Sequence, residues 1–263
     1  MGQRLGKEKL FSYIRNFGFG SKTGIDLNGE ASGILFNLDK VGPVELATTA
    51  FGQGVSVTPI QQITAVSAAI NGGNLYKPYV VKRILEPVTN NVIKENTPTL
   101  VRNVIDSNTS KEVRRALESV VANGTGRNAY IEGHSVGGKT GTAQKVNNGA
   151  YMIGNYIVSF IGFTPVSHPE VVVYVAIDYP KGIVQYGGTV AAPVAKSILT
   201  DCINILNLEK DDVKDKNYNW NEVKYERVPD VVSMTKDEAL KALSKYKVIT
   251  EGNGNIVVEQ SPS

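Results

Sequence analysis

Cysteine is almost absent from this chain of 263 residues, with Cys202 the only one. A lone thiol excludes an intrachain disulfide. With only two histidines beside it, no thiolate or imidazole set for a zinc ion can be assembled. A strong charge of one sign is missing too. Set against each other, 28 basic and 25 acidic side chains leave +3, too little for a nucleic-acid footprint, and no run of five like charges forms a tail. No stretch approaches the roughly 18 to 20 apolar residues that a membrane span needs. The best run, Val171 to Ile177, has the length of a buried strand. The opening "MGQRLGKEKLF" has no apolar signal-peptide core, and Gly6 departs from the myristoylation pattern. What is present, 41% hydrophobic and 20% charged residues, suits one large folded domain and a small one.

Local signals divide the chain. Residues 5 to 17 read as a helix with Leu10, Ile14 and Phe17 on one face and Gly18 as its stop. The glycine-dense "FGFGSKTGIDLNGE" that follows reads as loop. In "VTPIQQITAVSAAINGG", Thr58 is an N-cap, Pro59 suits the first helical position and Gln61 completes a capping box. Ile60, Ile63, Val66 and Ile70 then make an apolar stripe, ended by Gly72 and Gly73. "YVVKRILE" (79–86) reads as a strand. Thr109 and Glu112 read as a second capping box, opening a helix that Gly124 closes. Strands are expected over 135–146, 155–165 and 171–178, the first two joined by the turn residues Asn147-Asn148-Gly149. A helix from about Ala192 to Leu206 closes this domain. Helices, then an antiparallel sheet, then a packing helix make an α+β fold. From Asn207 the chain turns polar, and 208–225 reads as a solvated linker. A small βα unit over 226–263 follows, with Thr235 and Glu238 as a third capping box.

The stretch "GHSVGGKTGTAQ" (133–144) carries the chemistry and admits two readings. As G-x-x-x-x-G-K-T it spells a phosphate-binding loop, which requires a helix from Thr140 onward. The residues there are Gly-Thr-Ala-Gln-Lys-Val and then turn chemistry, too short and too poor in helix formers. As Lys139-Thr140-Gly141 it spells the K-T-G element of the serine acyl-transferases that penicillin inhibits. On a strand, Lys139 and Gly141 point one way, Thr140 and Thr142 the other. A lysine there puts a cation beside a reacting serine, a threonine hydroxyl can hold a carboxylate, and glycine lets a ligand backbone approach. The Thr142 N–H can aim at a developing oxyanion. A second K-T-G, Lys22-Thr23-Gly24, sits in the glycine-rich loop. His134 reads as a surface residue at a strand end, His168 as a turn residue and Asp178 as a strand end. Tyr186, Gly187 and Gly188 are candidates for lining the cleft.

Together, "FGFGSKTGIDLNGE", "TTAFGQGVSVTPIQ", "VANGTGRNAY", "GGKTGTAQK", "FIGFTP" and "GGTVAAPVAKSIL" resemble the transpeptidase domain of class B penicillin-binding proteins, in that family's order. The tail from 226 resembles the front part of a PASTA domain, an arrangement similar to the sporulation members of the family. The resemblance implies a penicillin-binding transpeptidase, serine β-lactamase-like fold over 1–207. It implies D,D-transpeptidation of peptidoglycan stem peptides ending in D-Ala-D-Ala, and inhibition by β-lactams. It assigns catalytic work to Lys139 and Thr142 and substrate binding to Thr140 and Gly141, with no cofactor, no metal and no nucleic acid. The Lys22 copy falls in a structural loop of the family.

Two family motifs are missing. S-x-N does not occur. S-x-x-K occurs only at Ser233–Lys236 and Ser244–Lys247, both in the tail. The resemblance therefore starts in mid-domain. Met1 is expected to be an internal methionine or a fragment boundary, with the first strands of a five-stranded sheet and the nucleophilic serine lying upstream. A membrane anchor, with the domain outside the cytoplasmic membrane, is expected only in a full-length parent. The chain alone is expected to be inactive. The alternative is a non-catalytic module that binds cell wall or a partner through the PASTA-like tail.

Overall fold

The structure, a computed structural model, describes residues 2–147, 149–211 and 228–261. The polypeptide divides into two units, Met1–Lys216 and Asn217–Ser263.

The larger unit begins with α1 (Gly2–Leu5) and α2 (Lys7–Asn16). The face of α2 that goes inside is centred on Phe11, fully buried, rather than on the expected Leu10, Ile14 and Phe17, which stay half-exposed. After α3 (Pro43–Ala50), α4 (Pro59–Ile70) forms as its sequence predicts. The Thr58 hydroxyl accepts from the Gln61 N–H, and the Gln61 carbonyl accepts from the Thr58 N–H. The deep face of α4 is Gln61, Ala65, Ala68 and Ile70, with most of the expected isoleucine stripe only half-buried.

Gln61 has a second task that its capping role hides. It is 1% exposed, and its amide N–H groups donate to the carbonyls of Ser21 and Ser32 at 2.7 and 2.9 Å. One side chain thus caps α4 and holds both ends of the glycine-rich loop. Gln61→Leu keeps the volume but orphans both carbonyls and the Thr58 amide. It is expected to cost about 2 to 3 kcal/mol, read as a lower midpoint in urea.

Of the expected strand at 79–86 only Arg83–Leu85 is extended and paired, within one of two small antiparallel pairs. β1 (Asn74–Lys77) pairs with β4 (Thr99–Asn103), and β2 (Arg83–Leu85) pairs with β3 (Val92–Glu95). Then comes α5 (Ser107–Ala122), whose N-cap is Asp106, three residues before the predicted cap Thr109. The Asp106 carboxylate accepts from both the N–H and the hydroxyl of Thr109, at 2.8 Å each, and so takes the capping place assigned to Thr109. Thr109 spends both its N–H and its hydroxyl proton as a donor to that cap, so it sits inside the helix and does not open it.

The centre is a three-stranded antiparallel sheet in the order β5 (Gly137–Asn147), β6 (Ala150–Thr164), β7 (Val171–Asp178). Its two faces are read directly from alternation. Phe160, Val173 and Val175 pack with α6 (Gly187–Leu206), on Ala191, Ala192, Ala195, Leu199 and Ile203. Phe163 and Val172 pack on the opposite side with Ile70 of α4 and Leu117 of α5. A fully buried phenylalanine contributes roughly 2 to 3 kcal/mol by area, so Phe160 and Phe163 pin β6 from both sides.

α6 is long and apolar enough, by length and composition, to cross a membrane, although polar residues interrupt its apolar ones. Five of its residues instead line the sheet, as in the core helix of a globular domain. It also starts at Gly187, five residues before the expected Ala192.

The smaller unit holds α7 (Lys236–Ala242), with the predicted box between Thr235 and Glu238. Its core is Val231, Ala239 and Leu243, with Val257 from the last stretch packed against them. The expected linker at 208–225 begins with residues that belong to the larger unit, since Leu208 packs on the α6 core cluster. Its remainder, from 212, lies outside the described residues.

Candidate active site

The K-T-G residues lie in β5, a strand with no helix after Thr140, so the phosphate-loop reading is excluded. Two glycines precede Lys139 for a packing reason. A Cβ on Gly137 would lie 2.3 Å from the Phe163 ring, and one on Gly138 would lie 2.4 Å from the Phe160 ring. Both rings of β6 lean across β5 just before the motif, one from each face, and hold it in place.

From there alternation takes over. Lys139 is exposed and opposite Ile161, and its Nζ donates to the Thr140 carbonyl at 2.9 Å. Gly141 is opposite Ser159, whose hydroxyl would stand 2.4 Å from a Cβ there. The Thr140 hydroxyl lies 3.0 Å from that of Thr125, and the Thr142 hydroxyl accepts from the Gly187 N–H at 3.4 Å. Among the described strands, β5 has a partner only on its β6 side, so its other edge is open to an extended ligand.

Two further segments meet this strand. The first turn of α6 rests on it: a Cβ on Gly187 would come within 2.2 Å of the Ser159 carbonyl and 2.5 Å of that of Gly141. The segment after α5 brings Thr125 and Asn128. The Asn128 amide donates to the Gly188 carbonyl at 2.8 Å, tying that segment to the start of α6. Gly187 and Gly188 therefore do belong to the neighbourhood of the motif, while Tyr186 is the exposed N-cap residue. Thr125 and Asn128 lie in the stretch "VANGTGRNAY" that resembles the family, but nothing local in it points to β5 or α6. Their contacts reach 15 and 60 residues along the chain.

The base of β5 is gripped as well. Asp211 accepts from the Ser135 N–H at 2.6 Å and from its hydroxyl. The Ser135 hydroxyl accepts from Val166 N–H, and its carbonyl accepts from the Thr164 hydroxyl, both at 2.8 Å. His134, expected on the surface, is 8% exposed, because the backbone bridge between Ile131 and His134 folds that corner inward. His168 lies in an exposed loop beside Ser167, and Asp178 ends β7 in an ion pair with Lys145 at 2.7 Å.

The other K-T-G copy is built into a loop. The hydroxyl and N–H of Thr23 both donate to one Glu30 oxygen at 2.5 Å, and the Gly24 N–H donates to the other at 3.0 Å. Burial pushes the Glu30 carboxyl up. The hydrogen bonds from Thr23 and Gly24, with the charge of Lys22, outweigh it and hold the group below the usual glutamate value. Nor do the two S-x-x-K matches present a helical serine and lysine. Ser233 has φ +72° and precedes the N-cap of α7, and Ser244 follows the end of that helix.

Comparison with known proteins now decides the family. The penicillin binding protein transpeptidase domain matches residues 1–200 and the PASTA domain matches residues 226–263. The chain belongs to the class B penicillin-binding proteins. It is 56% identical to stage V sporulation protein D of Bacillus subtilis over 264 residues, covering all of this chain and 41% of that protein. It is 34% identical over 208 residues to the probable peptidoglycan D,D-transpeptidase PenA of Neisseria meningitidis, covering 79% of this chain and 34% of that one. Among solved structures, penicillin-binding protein 3 of Mycobacterium tuberculosis complexed with ampicillin superposes with a TM-score of 0.73 at 29% identity. That match covers 81% of this chain and 49% of the other. The chain thus spans about two fifths or less of the length of those two curated relatives. Its fold is the expected one, α+β with antiparallel sheets and packed helices, ending in a PASTA domain.

Proposed function

We propose that this chain forms one wall of a serine D,D-transpeptidase site, and that the attacking serine is supplied by sequence upstream of it. The observation that carries the reading is the K-T-G strand at an open sheet edge, with lysine, hydroxyl and glycine presented in a row. The ampicillin complex of the relative supports β-lactams as ligands.

In this reading a serine oxygen attacks the carbonyl between the two terminal D-alanines of a stem peptide. Its proton passes, by way of lysine, to the departing amine. The C–N bond breaks, the last D-alanine leaves and an ester to the serine remains. An amine of a neighbouring stem peptide then attacks that ester and the serine regains its proton. Lys139 supplies positive charge and proton traffic on this wall. Thr140 holds the terminal carboxylate of the substrate through its hydroxyl, and Gly141 allows the substrate backbone to lie close. The Thr142 N–H stabilises the oxyanion, a contribution of order 3 kcal/mol in other hydrolases. No step calls for a metal or cofactor. The parent protein is membrane-anchored with this domain outside the cytoplasmic membrane.

The test is covalent labelling. A fluorescent penicillin is expected to leave this chain unlabelled, and to label the same chain once it is extended upstream by a segment bearing S-x-x-K and S-x-N. A penicilloyl ester on any serine of the unextended chain would overturn the assignment.

A further inference from the structure

The 3.0 Å contact between the hydroxyls of Thr125 and Thr140 poses a question of proton direction, since either oxygen can donate. A hydroxyl has one proton to give and two lone pairs to receive with. If Thr140 gives its proton to a ligand carboxylate, that proton is no longer available to Thr125. The bond between the two threonines then survives only if Thr125 donates and Thr140 accepts. We infer that Thr125 is a positioning residue that fixes the proton of Thr140 toward the groove, and so selects ligands ending in a free carboxylate. The inference rests on the reading of Thr140 as the carboxylate-binding hydroxyl.

The surroundings show that Thr125 is placed and not merely nearby. The turn that carries it is closed from behind, with the N–H groups of Gly124 and Gly126 both donating to the Val120 carbonyl, at 3.1 and 2.9 Å. In front, the Thr125 carbonyl lies so near the first turn of α6 that a Cβ on Gly188 would come within 2.2 Å of it. To one side, the Asn128 amide holds the Gly188 carbonyl at 2.8 Å. The backbone that carries the Thr125 hydroxyl is thus fixed on three sides, with the hydroxyl 3.0 Å from that of Thr140.

The consequence is a short relay of two donors, Thr125 to Thr140 and Thr140 to ligand. Hydrogen bonds in series polarise one another, and a donor strengthened in this way gains most from an anionic acceptor. An esterified terminus offers only a neutral carbonyl and gains little from the relay.

The test uses the upstream-extended chain and compares acylation by benzylpenicillin with acylation by its methyl ester. Thr125→Val keeps the shape and removes the donor. It is expected to lower the second-order rate with the free acid about tenfold and to change that with the ester less than about twofold. Thr125→Ser, which keeps the hydroxyl, should stay within about twofold of the parent on both. The same fall for acid and ester would mark Thr125 as merely structural and overturn the inference, as would no fall at all. If valine lowers the unfolding temperature, Thr125→Ala carries the same comparison. An extended parent that takes up neither compound refutes the transpeptidase reading itself, a separate outcome from a normally acylated parent with an indifferent variant.

Discussion

Gly187→Ala is expected to lower the unfolding temperature of this protein by roughly 5 to 10 °C, corresponding to about 2 to 3 kcal/mol. Alanine normally favours a helix over glycine, so propensity alone forecasts the opposite sign. Packing decides. The added methyl would sit 2.2 Å from the Ser159 carbonyl, 2.5 Å from the Gly141 carbonyl and 3.1 Å from the Gly141 amide nitrogen. All three are backbone atoms of paired strands, so none can swing aside as a side chain would. Either α6 lifts at its first turn or β5 and β6 part at the motif. Differential scanning calorimetry reads the loss. A variant within about 1 °C of the parent would show that the first turn of α6 does not rest on the K-T-G strand.

The second large effect separates chemistry from stability. In the upstream-extended chain, Lys139→Met is expected to lower the rate of penicillin acylation by about 100- to 10,000-fold, the range usual for a positioned proton-transfer group. Its unfolding temperature should stay within about 2 °C, since surface changes away from caps and cores rarely exceed about 0.5 kcal/mol. The structural ground is that Lys139 is exposed and that, among the described residues, its Nζ bonds only to the carbonyl of its own neighbour, Thr140. Retained acylation would remove Lys139 from the mechanism. A fall in rate matched by a fall in unfolding temperature would make it a structural residue.

How much of this was legible in the sequence depended on how local the cause was. α4 was read with its cap, its box and its stop, because Thr58, Pro59, Gln61 and Gly72 act within a turn of where they stand. The central hairpin was likewise legible from alternation and turn residues. The start of α5 was misplaced because two capping residues compete there, and the carboxylate of Asp106 receives two bonds from Thr109. The small strand pairs escaped because they span three to five residues and are almost wholly exposed, so no alternation marks them. The start of α6 at Gly187 was not legible, because two adjacent glycines are poor helix formers. Its helical start is imposed by close approach to β5, which is a tertiary fact. At the site, the motif residues were legible as a motif. The contacts of Thr125, Asn128 and Asp211 were not, although the first two lie in the quoted stretch "VANGTGRNAY", since each reaches its partner 15 to 76 positions along the chain.

The carboxylate of Asp211 closes a large ring of backbone. It holds the amide and hydroxyl of Ser135, four positions ahead of Lys139. The two residues stand 76 positions apart and all of β5, β6, β7 and α6 lies between them, so one carboxylate clasps the start of that whole stretch to its far end.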